Sequence, residues 1–147
     1  MAKFVYKMQN ILNVKEKLET QAKNAFAVAR MKLDEEQAKL EALFIQRKEY
    51  EEKYRRLASG TLDILELTEC RNAIEYTKNQ IKRQLVEVHV AGKNLELAQI
   101  RLNEVMKERK IQEKLRENAF DEFLKELSAQ EKKEIDELVS FRFDSEK

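Results

Sequence analysis

The chain has no proline and no tryptophan, and only two glycines, one cysteine and one histidine in 147 residues. An average chain of this length carries roughly seven prolines and about ten glycines. Proline removes a backbone donor and clashes with the preceding turn, so its complete absence favours long uninterrupted helix. Gly60 and Gly92 stand too far apart to form a glycine-rich, phosphate-cradling loop. A lone Cys70 excludes a disulfide framework within the chain and points to a reducing compartment. His89, the one histidine, has no Cys, Asp or Glu cluster around it at metal-ligand spacing, so no metal is expected. No apolar run approaches the roughly 20 residues of a membrane span, and the N-terminal residues hold no signal-peptide run. Nor is there an excess of one charge: 29 basic against 28 acidic residues leave a net +1. A nucleic-acid partner is therefore not expected, because such binders gather positive charge on one face. These absences describe a soluble, cytoplasmic protein without cofactors.

What is present is charge and helix-forming side chains. Charged residues make up 39% of the chain, and Lys and Glu interleave almost everywhere, as in RKEYEEKYRR and KERKIQEKLREN. Interleaved signs at i, i+4 spacing support a solvated helix surface. Ala, Glu, Lys, Leu, Arg and Gln lose little side-chain freedom in a helix. The composition is that of a coiled coil.

From Ala29 the spacing alternates between three and four: Ala29, Leu33, Glu36, Leu40, Leu43, Arg47, Tyr50, Tyr54, Leu57. A repeat of 3.5 winds one helix around another. Before Ala29 the stripe reads Phe4, Met8, Ile11, Leu18, Ala22, Phe26, with a slip between Leu18 and Phe26 that predicts local unwinding. Ser59-Gly60-Thr61 then interrupts the pattern. Gly60 suits the left-handed end of a helix, and Thr61 suits the cap of the next. A second stripe follows: Leu67, Cys70, Ile74, Thr77, Ile81, Gln84, Val88, Ala91, Leu95, Ala98, Leu102, Val105.

These patterns predict an all-α fold, a long antiparallel two-helix coiled-coil hairpin whose second helix is the longer. The expected organisation is one domain over residues 1–147: helix 1 at about 3–58, a turn at 59–61, helix 2 at about 62–140 and a tail at 141–147. With the turn at Gly60, facing residues should have numbers summing to about 121. Leu40 then meets Ile81, Ala29 meets Ala91 and Gly92, and the polar Glu36 meets Gln84. Helix 1 runs out near Phe4, so Ala119–Leu138 should project without an intramolecular partner. That stretch carries Phe120, Phe123, Leu124, Leu127, Ile135 and Leu138 on one face, an interaction surface by pattern.

Catalytic chemistry is not expected. Cys70 lies on the second stripe and reads as a small buried apolar residue. Paired carboxylates such as Glu35–Glu36, Glu51–Glu52 and Asp121–Glu122 are plentiful, but a two-helix hairpin has no water-excluding pocket to separate their pKa values. Tyr50 and Tyr54, on the first stripe near the turn, suit both packing and an interface hot spot.

Two end segments carry a resemblance. Phe4-Val5-Tyr6-Lys7-Met8-Gln9-Asn10-Ile11-Leu12-Asn13-Val14-Lys15-Glu16, followed by Glu19 and Ala22, resembles the opening of the flagellar export protein family FliJ. Near the other end, Lys107-Glu108-Arg109-Lys110-Ile111-Gln112-Glu113-Lys114-Leu115-Arg116-Glu117 and then Gln130-Glu131-Lys132-Lys133-Glu134-Ile135-Asp136-Glu137-Leu138 are similar to that family's second signature. Met8 stands where the family usually has Leu, and Lys15 where Arg is frequent.

The resemblance implies a non-enzymatic part of the flagellar type III export apparatus, similar to the coiled-coil stalk of rotary F-type ATPases. Such proteins enter the hexameric ring of the export ATPase FliI, reach the cytoplasmic domain of the export-gate membrane protein FlhA, and are described as escorts of export chaperones. It also implies peripheral association with the cytoplasmic side of the cell membrane at the flagellar base. Placed on this chain, the ATPase-ring contact comprises Phe4, Met8, Ile11, Lys110, Leu115, Phe120, Phe123 and Leu127. The export-gate contact comprises Leu43, Tyr50, Ala73 and Thr77; the family has larger apolar residues where Ala73 and Thr77 stand. Three alternatives remain open: a stalk of a virulence type III secretion system, a structural coiled-coil dimer joined through Ala119–Leu138, and a prefoldin-like holdase. Residues 58–66 leave no room for the strands that the last of these needs.

Overall fold

The computed structural model describes residues 3–61 and 63–145, with side chains as far as residue 142. Two helices account for nearly all of it: α1, Gln9–Ser59, and α2, Ile64–Ser145. They pack antiparallel as a hairpin, and α2 is much the longer, at 82 residues against 51. No strand occurs among the described residues. By their contacts the residues fall into two units. One joins those up to Gln21 with those from Asn103 onward, and the other runs from Ala22 to Leu102.

In the Ala22–Leu102 unit the seam follows the predicted register. The Gln84 amide donates to the Glu36 carboxylate at 2.5 Å and to the Glu36 carbonyl at 2.9 Å. The Cys70 thiol donates to the Tyr50 carbonyl at 3.2 Å. Both pairs sum to 120, within one residue of the expected register. Ala22, Cys70, Ile81 and Ala91 are buried with Glu36 and Thr77.

The seam of α1 near its start is different from the stripe read in the sequence. Leu12 is 3% exposed, whereas Ile11 is 42% exposed. The inward positions are Leu12, Lys15, Glu19, Ala22, Phe26 and Ala29, an unbroken alternation of three and four. There is accordingly no slip between Leu18 and Phe26. The apparent slip arose because Glu19, a charged residue, holds a core position that apolar pattern alone hands to Leu18.

Three boundaries also move. α1 begins at Gln9 rather than near residue 3, because the aromatic side chains of the preceding residues reach across to α2. A turn closed by the Gln9 N–H on the Tyr6 carbonyl, 3.1 Å, joins that segment to the helix. At the hairpin bend Gly60 has no positive φ. α1 ends instead with the Ser59 hydroxyl on the Arg56 carbonyl, 3.1 Å, and Arg56 sits favourably against the helix C-terminus. The cap of α2 is Asp63 rather than Thr61. One carboxylate oxygen of Asp63 accepts from the Leu65 N–H at 3.0 Å and the Glu66 N–H at 3.3 Å, satisfying two amides that the helix leaves unpaired. The start predicted for helix 2, Leu62, lies outside the described residues. At its far end α2 continues through the expected tail to Ser145.

Candidate interaction surfaces

The two charged end segments meet each other. Across the seam the Lys15 ammonium donates to Glu108 at 2.8 Å, and the Arg109 guanidinium donates to Glu19. Arg109 also reaches Glu113 at 2.7 Å, one turn along α2. Glu113 first, then Glu19, holds the guanidinium pKa above its ordinary value. Glu19 is only 6% exposed, so this is a polar layer inside the hairpin. A buried ion pair of this kind favours one register, since a slip takes Glu19 away from Arg109. Val105, fully buried one turn earlier on α2, packs below it.

Beyond that layer the N-terminal segment crosses to α2. The Phe4 ring lies edge-on to Phe120, centroids 5.1 Å apart, and tilted against Phe123 at 5.5 Å. The Arg116 guanidinium stands 5.9 Å over the Phe4 ring, while its Nε donates to the Gln9 side chain at 3.0 Å. The Tyr6 hydroxyl donates to Gln112 at 3.4 Å. Of the residues expected at this surface, Phe4, Phe123 and Leu127 are half-buried. Met8, Ile11, Leu115 and Phe120 remain substantially exposed, and Lys110 faces solvent. The expected partnerless stretch from Ala119 to Leu138 is thereby shortened, because Phe4 packs on Phe120 and Phe123. Residues 128–142 are exposed throughout, including Ile135, Leu138, Val139 and Phe141.

Near the turn the four residues expected to face a partner divide. Leu43, Tyr50 and Ala73 are half-buried on the hairpin. Thr77 is 1% exposed and donates its hydroxyl to the Ala73 carbonyl at 2.8 Å. It is a seam residue and presents no surface to a partner. Sequence reading passed over Phe44, Ile45 and Tyr76, which are large, apolar and exposed in the same region. The available signal was their position off the seam stripe, where a solvated helix would carry charge. Phe44 also borders a surface groove of about 350 Å³ together with Arg47, Lys48, Glu51, Glu52 and Arg55. A further off-seam set, Val86, Val90, Leu97 and Ile100, lies exposed on the outward face of α2.

Glu36 is a further charged group within the seam, 4% exposed. The Lys32 ammonium, 2.9 Å away, and then the Gln84 amide lower its pKa from 4.5 to about 2. The same contact raises the pKa of Lys32. These groups are ionised and satisfied, which serves register rather than proton transfer. No group of three or more His, Cys, Asp or Glu side chains among the described residues is placed to hold a metal ion. No helix among them is long and apolar enough to cross a membrane. Cys70 is buried in the seam and His89 is exposed on α2.

Comparison with known proteins adds three findings. The family model described as the flagellar FliJ protein matches residues 4–147. A solved structure described as a YscO homologue, from Chlamydia trachomatis, superposes with a TM-score of 0.69 at 24% identity, covering 95% of this chain and 94% of that one. At that identity the likeness shows a shared fold. Among curated proteins none matches the sequence. A match from Phe4 to the last residue, on a hairpin whose charged end segments interlock, places this chain in the FliJ family of the flagellar type III export apparatus.

Proposed function

We propose that this protein is a non-enzymatic stalk and adaptor that joins the export ATPase ring to the export gate and promotes export of flagellar proteins. The observation that carries this reading is the apolar surface of α2 beyond the polar layer. Phe120, Phe123 and Leu127 there are only part covered, and Ile135, Leu138 and Phe141 follow in the open. A two-helix hairpin cannot enclose such a surface, so a protein partner is its natural cover.

On this reading the ATPase ring meets Met8, Ile11, Lys110, Leu115, Phe120, Phe123 and Leu127, with Phe4 packed among them. The gate meets the residues around Leu43, Tyr50 and Ala73, with Phe44 and Tyr76 beside them. The family membership supports the export setting, and export chaperones are further candidate partners. The protein would act at the cytoplasmic side of the membrane. An asymmetric coiled coil inside a ring contacts its subunits unequally and so biases their conformations; no chemistry of its own is required.

The test is a pull-down of the purified chain with the export ATPase and the gate cytoplasmic domain from the same organism, with the ATPase rate followed in parallel. Binding with stimulation is expected. Phe123→Asp with Leu127→Asp should abolish stimulation while circular dichroism still reports full helicity. Unaltered stimulation by that variant would remove these residues from the ring contact. Self-association without binding to either partner would favour a structural dimer.

A further inference from the structure

We infer that residues 3–7 form an internal strap that competes with the protein partner for the aromatic face of α2. This rests on the reading of Phe120 and Phe123 as a partner-binding surface. The strap lies outside α1, and its hold on α2 consists of side-chain contacts. Phe4 sits on Phe120 and Phe123, Arg116 stacks over Phe4, and Tyr6 bonds to Gln112. Releasing such contacts costs far less than unfolding either helix, so the strap can open while both helices stay intact.

The chemistry of the closed strap describes what replaces it. A groove of about 600 Å³ separates the strap from α2, lined by Phe4, Phe123, Glu122, Glu126, Lys3 and Lys7 among others. The strap therefore offers an aromatic anchor flanked by lysines to a face bordered by glutamates. A segment of the partner that displaces it must reproduce that pattern: an aromatic or aliphatic anchor with basic neighbours. Because Phe4 packs on Phe120 and Phe123, a partner that uses this part of the face must first displace it, and its apparent affinity is lowered by the open fraction. An open fraction of about one tenth lowers it about ten-fold.

The strap can be tested without a partner, using the full-length chain and a fluorescein-labelled peptide of its own residues 3–14. The Phe4→Ala chain should bind this peptide about ten-fold tighter than wild type does, and adding Phe123→Ala should remove the binding. Equal binding by wild type and Phe4→Ala overturns the inference. So does absence of binding by Phe4→Ala while circular dichroism reports intact helices. With the export ATPase present, Phe4→Ala should reach half-maximal stimulation at about one tenth of the wild-type concentration. A rise in that concentration would make Phe4 a direct contact and also overturn the strap. Should the ATPase bind neither chain, the partner reading fails, and the peptide titration still decides the strap.

Discussion

Glu19 on α1 and Arg109 on α2, 90 residues apart in the chain, form an ion pair inside the hairpin. Each belongs to one of the two charged segments that make the ends of this sequence recognisable. Their place in these motifs is thus matched by a structural role: they hold the two helices in one register. Removing either partner alone leaves a charge in the seam, whereas removing both leaves none. Glu19→Ala and Arg109→Ala should each lower stability, and the double variant should lose clearly less than the two losses combined. Urea unfolding of the four proteins measures the coupling. Strict additivity would mean that the pair contributes nothing specific.

The Glu36 layer predicts a pH dependence. Its carboxyl has an ordinary pKa of 4.5 and a folded value of about 2, so the unfolded chain takes up the proton first. Its stabilising contribution is fully present above 4.5 and is lost as the pH falls through about 2. Thermal melts of wild type and Glu36→Gln should therefore converge across that range. Lys32 has the opposite sense: raised above 10.5, its share is present below that value and lost only in stronger alkali. A gap between wild type and Glu36→Gln that stays constant down to pH 2 would contradict the assignment.

Gly92 sits within α2, and a Cβ built on it meets nothing within 4 Å. Glycine in a helix interior is less favourable than alanine by roughly 0.5–1 kcal/mol. Gly92→Ala should stabilise the protein by about that amount and raise its midpoint by about 2–4 °C. Scanning calorimetry gives the answer, and a lowered midpoint would show that the seam beside Ala91 needs the space that the glycine leaves.

At the bend, Asp63 and Thr61 are the two side chains that could cap α2, and Asp63 does so. Asp63→Ala should cost about 1 kcal/mol, since two amides at the start of α2 lose their acceptor. Thr61→Ala should change stability by less than about 0.5 kcal/mol. Paired urea titrations distinguish them, and the reverse order would move the cap back to Thr61.

Much of the fold was legible because periodicity is a local property. The seam positions from Ala29 to Leu57, apart from the exposed Tyr54, and from Leu67 to Val105 follow from spacing alone, and so does the meeting of Glu36 with Gln84. The misreadings share one cause. Apolar pattern assigns Leu18 and Ile11 to the core, but Glu19 and Leu12 hold it, because a charge is admitted to a seam when its partner stands opposite. Lys15 has Glu108 and Glu19 has Arg109. Asp63 three residues before Glu66 was a readable cap signal, obscured by the neighbouring Thr61.

The surface was legible in part. The sequence marked Phe120, Phe123 and Leu127 as one helical face, but not that Phe4 would fold back on the first two of them. It placed Thr77 on a gate-facing surface, where burial in the seam removes it.

By itself, then, the sequence determined that this chain forms two long antiparallel helices, and which faces they share. Those outcomes rest on propensity and repeat, which act over a few residues. The tertiary structure alone decided that Lys15 and Glu19 enter the seam, where α1 begins, and how much of the aromatic face stays open. Each of these depends on a contact between residues about 90 or more positions apart, Glu19 with Arg109 and Phe4 with Phe120, and no local pattern carries such a contact.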